Sequence, residues 1–490
     1  ATREDDFFKQ KHMVHSNCTI RARVPLWMFA LLIIFFIYSM RLVVMILLWN
    51  EDSPDYVTSK TNANSFAIST TSVSTPLVDS NSTSSTDATT SMAHHKQHEK
   101  FDSATSNSTR RKVVLLGPHD RYNFGDLIFE KVAIKLLSDR AGYDVNDIVS
   151  AGLVSVDMSR YGGNPRVLSL KEVQEMSFAA PLPFDIVYLG GEALACNYEC
   201  GVRAMQTQGL KDQAMANKLH SCAYLLPKRL LVPDHFKGPS NIAVVNSMGG
   251  GLLRPCKEAV HTADYYATRD GLHGTLAPDS AVVVNLLFGD HVRNLRNFPS
   301  IQHIYANTTN GNYIAVQHKQ KAIDVDLVAR RLDAAAASFP NCSIVFFAAG
   351  TAPNHDSLEV YEQISNRLRT RSFILREENM WYVIAVISHA RLVVCTSLHV
   401  RIMAFIFQKP RITWCPTNGK HDIFIRTWEG DPQSVPCVPE LSADSERLFL
   451  DGVNQTLQAS ANWTFVDGVV QAYLESFDTW SGMLRNDTRI

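Results

Sequence analysis

Two short stretches carry the residue types that could do chemistry. Asn123-Phe124-Gly125-Asp126 places a carboxylate and a glycine directly after the apolar run 113–116 and before Ile128, Val132, Leu136 and Leu137, which recur at helical spacing. Ser397-Leu398-His399 follows a second apolar run, 391–395, and precedes a helical run that stops at Gln408-Lys409-Pro410. In open α/β sheets such strand-to-helix turns form the ligand crevice, because the helix amino terminus offers unsatisfied N–H groups to an anion. Asp126 and His399 therefore stand where such sheets bind ligands. Asp126 could equally cap its helix, with Gly125 serving only the turn. His399 favours function, because a structural histidine more often sits inside an element.

The elements that must position these groups alternate. Strands are expected at 113–116, 152–156, 186–189, 242–245 and 281–284, with helical stretches such as 202–219 between them. After an Asn- and Gly-rich connection, 288–312, the pattern resumes with strands at 313–316, 344–347, 392–395 and 411–414 and helices at 322–338, 358–368, 377–388 and 400–407. Alternation of this kind means mostly parallel sheets. The expected organisation is a Rossmann-like domain over 112–295, a linker over 296–312, a second Rossmann-like domain over 313–435 and a helical segment over 436–490. No short-period repeat is present, which excludes a solenoid.

The first 111 residues read differently. Residues 26–49 are apolar except for Arg41 and a few tolerated polar groups, and at 1.5 Å per residue would extend roughly 36 Å, enough to span a bilayer. Arg41 lies toward the far end, where it can snorkel. Lys9, Lys11, Arg21 and Arg23 precede the span and Glu51, Asp52 and Asp55 follow it, so the positive-inside rule keeps a tail, 1–24, in the cytoplasm and sends the rest to the lumen. Residues 50–111 are dominated by Ser and Thr and cannot bury enough surface to fold, as in a stem. Sequons at Asn81, Asn107, Asn307, Asn341, Asn454, Asn462 and Asn486 agree with a lumenal chain. The expectation is a single-pass type II protein of the Golgi, held in the lipid bilayer by its signal anchor at 25–49.

Composition excludes other classes. With 490 residues, 46% hydrophobic and a net charge of −1, the chain can bury two sizeable cores and has no basic excess for nucleic acid. No G-x-G-x-x-G, Walker loop, G-x-S-x-G or D-x-D stands where it would work, so neither a dinucleotide enzyme nor a metal-dependent sugar-nucleotide transferase is indicated. All nine cysteines but Cys18 lie beyond the span, where disulfides are permitted but not specified. Cys196 and Cys200 lack a second pair at metal-site spacing, so no metal is expected, and Cys395 reads as a buried thiol.

Taken in order, the landmarks resemble the polysaccharide pyruvyl transferase family over roughly 112–414. They are N-F-G-D at 123–126, L-G-G-E at 189–192, T-R-D at 268–270 with P-D at 278–279, a strand ending at Lys319, and S-L-H at 397–399 before a helix and a proline. The resemblance implies two Rossmann-like domains facing a cleft in the GT-B manner. It implies transfer of the enolpyruvyl group of phosphoenolpyruvate onto two hydroxyls of one sugar of a glycan acceptor, galactose being the expected sugar, with no other cofactor. It assigns proton transfer to His399 and Asp126 and substrate binding to Asn123, Gly125, Gly190, Gly191, Arg269, Lys319, Ser397 and Leu398. Arg269 and Lys319 are cations suited to a carboxylate and a phosphate, although Arg269-Asp270 could be a surface ion pair. His318, His355 and Asp356, in loops at strand ends, read as solvated. The family motif commonly reads R-L-H, so Ser397 removes a cation, for which Arg401, one turn on, could substitute if it faces the cleft rather than the surface. Members with Ser in that slot also exist. The alternatives are a GT-B-like glycosyltransferase using a sugar nucleotide and an inactive glycan-binding relative.

Overall fold

A computed structural model describes residues 111–486 except 239, 309–310, 320–323, 354, 415–418, 431–436, 439–444 and 459–463. The tail, span and stem expected over 1–111 lie outside the described residues except for Arg111, which is buried and pairs with Asp185 at 3.3 Å as part of the folded unit, and no described helix is long and apolar enough to cross a membrane.

The central strands are short and buried on both faces, as strands covered by helices must be, while the edge strand Thr275–Leu276 is exposed. Seven parallel strands form the first sheet: β1 Val113–Leu116, β2 Ile148–Gly152, β3 Leu168–Ser169, β4 Asp185–Tyr188, β5 Ala243–Met248, β6 Tyr265–Thr268 and β7 Thr275–Leu276. Their spatial order is β3-β2-β1-β4-β5-β6-β7. The second sheet holds β8 Tyr313–Gln317, β9 Ser343–Phe347, β10 Ser372–Leu375, β11 Leu392–Cys395, β12 Arg411–Trp414 and β13 Cys437–Val438 in the order β10-β9-β8-β11-β12-β13. In both sheets the chain runs outward from the first strand in one direction and then in the other. The order therefore reverses between β1 and β4, and again between β8 and β11. These are the switch points at which such sheets leave a crevice.

Side-chain alternation divides the interior into three cores. Val114, Leu116, Ile186 and Val245 point into one that belongs to the first sheet. Ile314, Val316, Phe346 and Val394 point into another belonging to the second. Val113, Leu115 and Val187 share the third with Ala315, Phe347 and Val393, so the inner faces of the two sheets contribute to one continuous apolar cluster. The helix Thr464–Asn486 adds Val466, Val469, Tyr473, Phe477 and Trp480 at three- and four-residue spacing to the same cluster. It is pinned to the first half by Asn246 donating to the Tyr473 hydroxyl at 3.0 Å and by the Arg140–Asp478 ion pair.

Several sequence expectations need correction. The apolar run 281–284 is the end of a tight turn, Ser280–Val283, and the start of the helix Val284–Asn294, because Asp279 caps the Ala281 amide at 3.0 Å and starts a helix. The expected linker over 296–312 contains the helix Pro299–Asn307, opened by a proline at its first position and burying Ile301 and Ile304. The strand expected at 152–156 lies four residues earlier, since Gly152 ends it. The second sheet also continues past 435 through β13. Cys222 and Cys256 are bonded to one another, while Cys196, Cys200, Cys342 and Cys395 are free thiols.

Candidate functional site

Both switch points open onto one place. After β1 the chain turns through residues 117–122, and the Asn123 side chain caps the helix Phe124–Asp139 by accepting from the Gly125 amide at 3.1 Å. The Phe124 amide does not join its own helix ladder but donates to the Ala349 carbonyl, after β9, at 2.8 Å, and Asn123 and Gly350 form an antiparallel bridge. After β4, Gly190 takes φ +142°, which disfavours any side chain, and leads to Gly191 and Glu192. β8 ends at Gln317 and is followed by His318 and Lys319. After β11 come Thr396 and Ser397, then the helix Leu398–Ile406 with His399 in its first turn.

His399 belongs to the second half, yet its seat lies in the first. A Cβ on Gly125 would overlap its ring, and one on Gly191 would lie 3.0 Å from Cε1. The edges of Phe124 and Phe129 close the sides, the latter with ring centroids 5.1 Å apart. His399 Nε2 stands 3.5 Å from Arg269 Nη1 and 3.7 Å from Asp279 Oδ2, and Arg269 Nη1 donates to the same Asp279 oxygen at 2.6 Å. Burial opposes charge on Asp279, but the neighbouring His399 imidazole, the Arg269 guanidinium and the Ala281 amide outweigh it and hold the carboxyl down at about 2. A fixed anion thus orients both a cation and an imidazole. The Trp428 indole, donating to the Arg269 carbonyl at 2.8 Å, secures the same strand end from the second half.

Beside His399 lies a cavity of about 320 Å³. Its walls carry four cations, Arg121 and Arg269 from the first half and Lys319 and Lys420 from the second, with the carboxyl groups of Asp126, Glu192 and Asp356. Arg121 is held by donation to the Tyr224 hydroxyl at 2.7 Å and stands 3.6 Å from Asp126. Lys420 pairs with Glu192 at 3.2 Å; burial works against charge on Glu192, but Lys420 and Arg269 keep its carboxyl below the usual range. Asp356 behaves oppositely. Burial pushes it up to about 7, although it accepts from Gln317 at 2.7 Å and from the Ala349 amide at 2.6 Å. Gln317 uses its other end to accept from the amides of Thr396 and Ser397 at 3.1 and 2.9 Å. The two thiols in the wall are Cys196 and Cys200, and burial pushes Cys196 up to about 12, too high for a thiolate at neutral pH. No group of metal-ligating side chains is found among the described residues.

Asn123, Asp126, Gly191, Arg269, Lys319, Ser397, Leu398 and His399 all line this cavity; Gly125 lies beneath the His399 ring and Gly190 one residue behind the wall. Arg401 cannot replace the cation missing at Ser397. It is fully buried, bidentate with Glu429 and bonded to Thr413, with Arg411 on the same carboxylate. Arg269 pairs with Asp279 rather than Asp270, which instead accepts from the Gly250 amide at 3.0 Å. His318 and Asp356 are buried, not solvated. The sequence reading missed Arg121, Tyr224, Asp279, Gln317 and Lys420 as site residues. Arg121, two positions before Asn123 in one turn, could have been found from its spacing; Lys420 had no local signal.

The chain matches known proteins at two levels. Residues 260–414 match the family model described as polysaccharide pyruvyl transferase. No curated protein matches the chain. Among solved structures, the UDP-GlcNAc 2-epimerase from Methanocaldococcus jannaschii is 11% identical with a TM-score of 0.48, over 76% of this chain and 99% of that one. The S. aureus MnaA–UDP co-structure is 9% identical with a TM-score of 0.47, over 77% and 97%. The spinosyn rhamnosyltransferase SpnG is 12% identical with a TM-score of 0.36, over 77% and 100%. The matched segment, about a third of the chain, runs from before β6 to the end of β12 and includes Arg269, Asp279, Lys319 and His399, so the similarity to that family covers the part of the chain that supplies these cavity residues.

Proposed function

We propose that the protein transfers the enolpyruvyl group of phosphoenolpyruvate to two hydroxyls of one sugar in a glycan, with galactose the expected sugar. The observation that carries this reading is the gathering of Arg121, Arg269, Lys319 and Lys420 from both halves around one cavity beside His399. Phosphoenolpyruvate bears a carboxylate and a phosphate on one small framework, and few other donors demand so many cations in so little space.

The chemistry requires a proton on the terminal enol carbon, which becomes the methyl group, and the loss of a proton from each hydroxyl. His399 serves as the proton donor and Asp126 as the base for the first hydroxyl. That hydroxyl oxygen bonds to the central carbon, the bond from this carbon to the phosphate oxygen breaks, and the second hydroxyl closes the ketal. Of the two protons shed by the diol, one balances the new methyl group and the other leaves on phosphate. Asp356 faces the same space and, pushed up to about 7 by burial, is partly protonated near neutrality, a second proton-carrying group within the cavity. The anchor and stem expected over 25–111 would present this activity to secretory glycans in the Golgi lumen. Protease digestion of sealed microsomes tests that topology, and destruction of the globular part in intact vesicles would refute it.

The test of the reaction is incubation of the protein with phosphoenolpyruvate and methyl β-galactoside, and separately with a panel of sugar nucleotides. Phosphate release with a ketal product supports the reading. Consumption of a sugar nucleotide, with phosphoenolpyruvate untouched, overturns it in favour of a glycosyltransferase.

A further inference from the structure

A second, smaller pocket of about 190 Å³ adjoins the cavity and shares Glu192, Arg269, Leu398 and Lys420 with it. Its own walls are unlike those of the larger one. Leu272, Ile423 and Phe424 give it an apolar side, and Asp270 and the backbone at Gly250 give it a polar one. Leu272 stands 53% exposed at the tip of a turn whose Gly271 and Gly274 both take φ +67°. That backbone path, with the Asp270 carboxylate accepting from the Gly250 amide and facing the Leu272 amide at 3.4 Å, explains why a large apolar side chain is held out at a pocket mouth.

We propose that this pocket is the acceptor subsite and takes one uncharged, hydroxylated sugar ring; the assignment rests on the transferase reading above. A pyranose has an apolar face of C–H groups and a rim of hydroxyls. Leu272 and Ile423 match the face, while Asp270 and Glu192 accept from the rim. An anionic donor is disfavoured there because the pocket's private walls carry a carboxylate and no cation of their own. Arg269 and Leu398 line both spaces, and His399, next in sequence to Leu398, stands 3.5 Å from Arg269, so the proton-transfer group sits at the junction of the two. Transfer from one pocket to the other would pass that ring.

Leu272→Asp decides the matter, since an exposed side chain can be changed without unfolding the protein. The expected result is an acceptor KM raised roughly tenfold or more with the phosphoenolpyruvate KM within about twofold of wild type. Asp270→Asn is the companion variant and should move the acceptor KM in the same direction. Saturation-transfer NMR with a panel of methyl glycosides gives a readout independent of the donor. Sugar contacts that vanish in Leu272→Asp while phosphoenolpyruvate fails to bind the wild type would sink the donor reading and leave the subsite standing. Contacts equal in wild type and variant, or none with any glycoside, overturn the subsite.

Discussion

The two switch points perform different tasks although their strand orders correspond. In the first sheet the crevice between β1 and β4 is walled by glycines, Gly125 and Gly191, and is filled by a ring from elsewhere. In the second, the crevice between β8 and β11 is spanned by Gln317, which occupies the Thr396 and Ser397 amides and leaves His399 to project from the first helical turn. One half is a socket and the other a plug. The imidazole is encoded in the second half, while its orientation is encoded in the first by Asp279, Arg269 and two absent side chains.

The sharpest way to break this comparison is His399→Ala. Removal of the plug should lower kcat about 100- to 10,000-fold, measured by phosphate release, with little change in melting temperature. Loss of activity without the plug but not without the socket would contradict the division, so Gly125→Ala belongs beside it: the added methyl displaces the ring and should lower kcat in the same way.

The second half should also be the one with the most fragile interior. Glu429 faces both Arg401 and Arg411, whose charges, against the cost of burial, hold it down at about 2. Glu429→Gln should destabilise the protein by about 3 to 5 kcal/mol in urea unfolding, because two guanidinium groups lose their shared carboxylate in the core. A cost below about 1 kcal/mol would show that the cluster is hydrated.

Asp356 provides a pH test. Its folded value near 7 lies above the unfolded value of 3.8, so the native state binds more protons between these limits and wild-type stability falls as pH rises from about 4 to about 7. Asp356→Asn should flatten that fall, an effect of up to a few kcal/mol by urea midpoints at pH 5 and pH 8. Equal slopes in both proteins would place the proton elsewhere.

The smallest effect is expected at Ser397→Arg. A guanidinium added to the plug beside the cavity should tighten phosphoenolpyruvate binding by about 1.5 to 3 kcal/mol, roughly ten- to a hundredfold, by calorimetry. Weakened binding would mean that Arg121 and Lys420 already fill the space.

Much of this arrangement was legible in the chain. The apolar runs at 113–116 and 391–395, each followed by a turn and helical periodicity, gave one strand of each switch point, and the residue types in the turns gave eight residues of the cavity wall, Asn123, Asp126, Gly191, Arg269, Lys319, Ser397, Leu398 and His399. What escaped was of two kinds. Local period failed at 281–284, where four apolar residues fit a strand or a buried helix start and only the Asp279 cap decides. Pairing also failed: nothing in spacing says that Arg269 reaches Asp279 rather than Asp270, that Arg401 turns inward to Glu429, or that Tyr224 holds Arg121. Such partners are chosen by the fold across many residues.

The bond between Cys222 and Cys256 ties the site to the history of the chain. Cys222 stands two residues before Tyr224, which grips Arg121. Closing that 34-residue separation removes about 3 to 4 kcal/mol of freedom from the unfolded chain on the loop-entropy model. The same bond that shortens the unfolded chain's reach therefore also fixes the segment that carries the Arg121 partner, so one covalent link serves both the stability of the first half and the placement of a cavity cation.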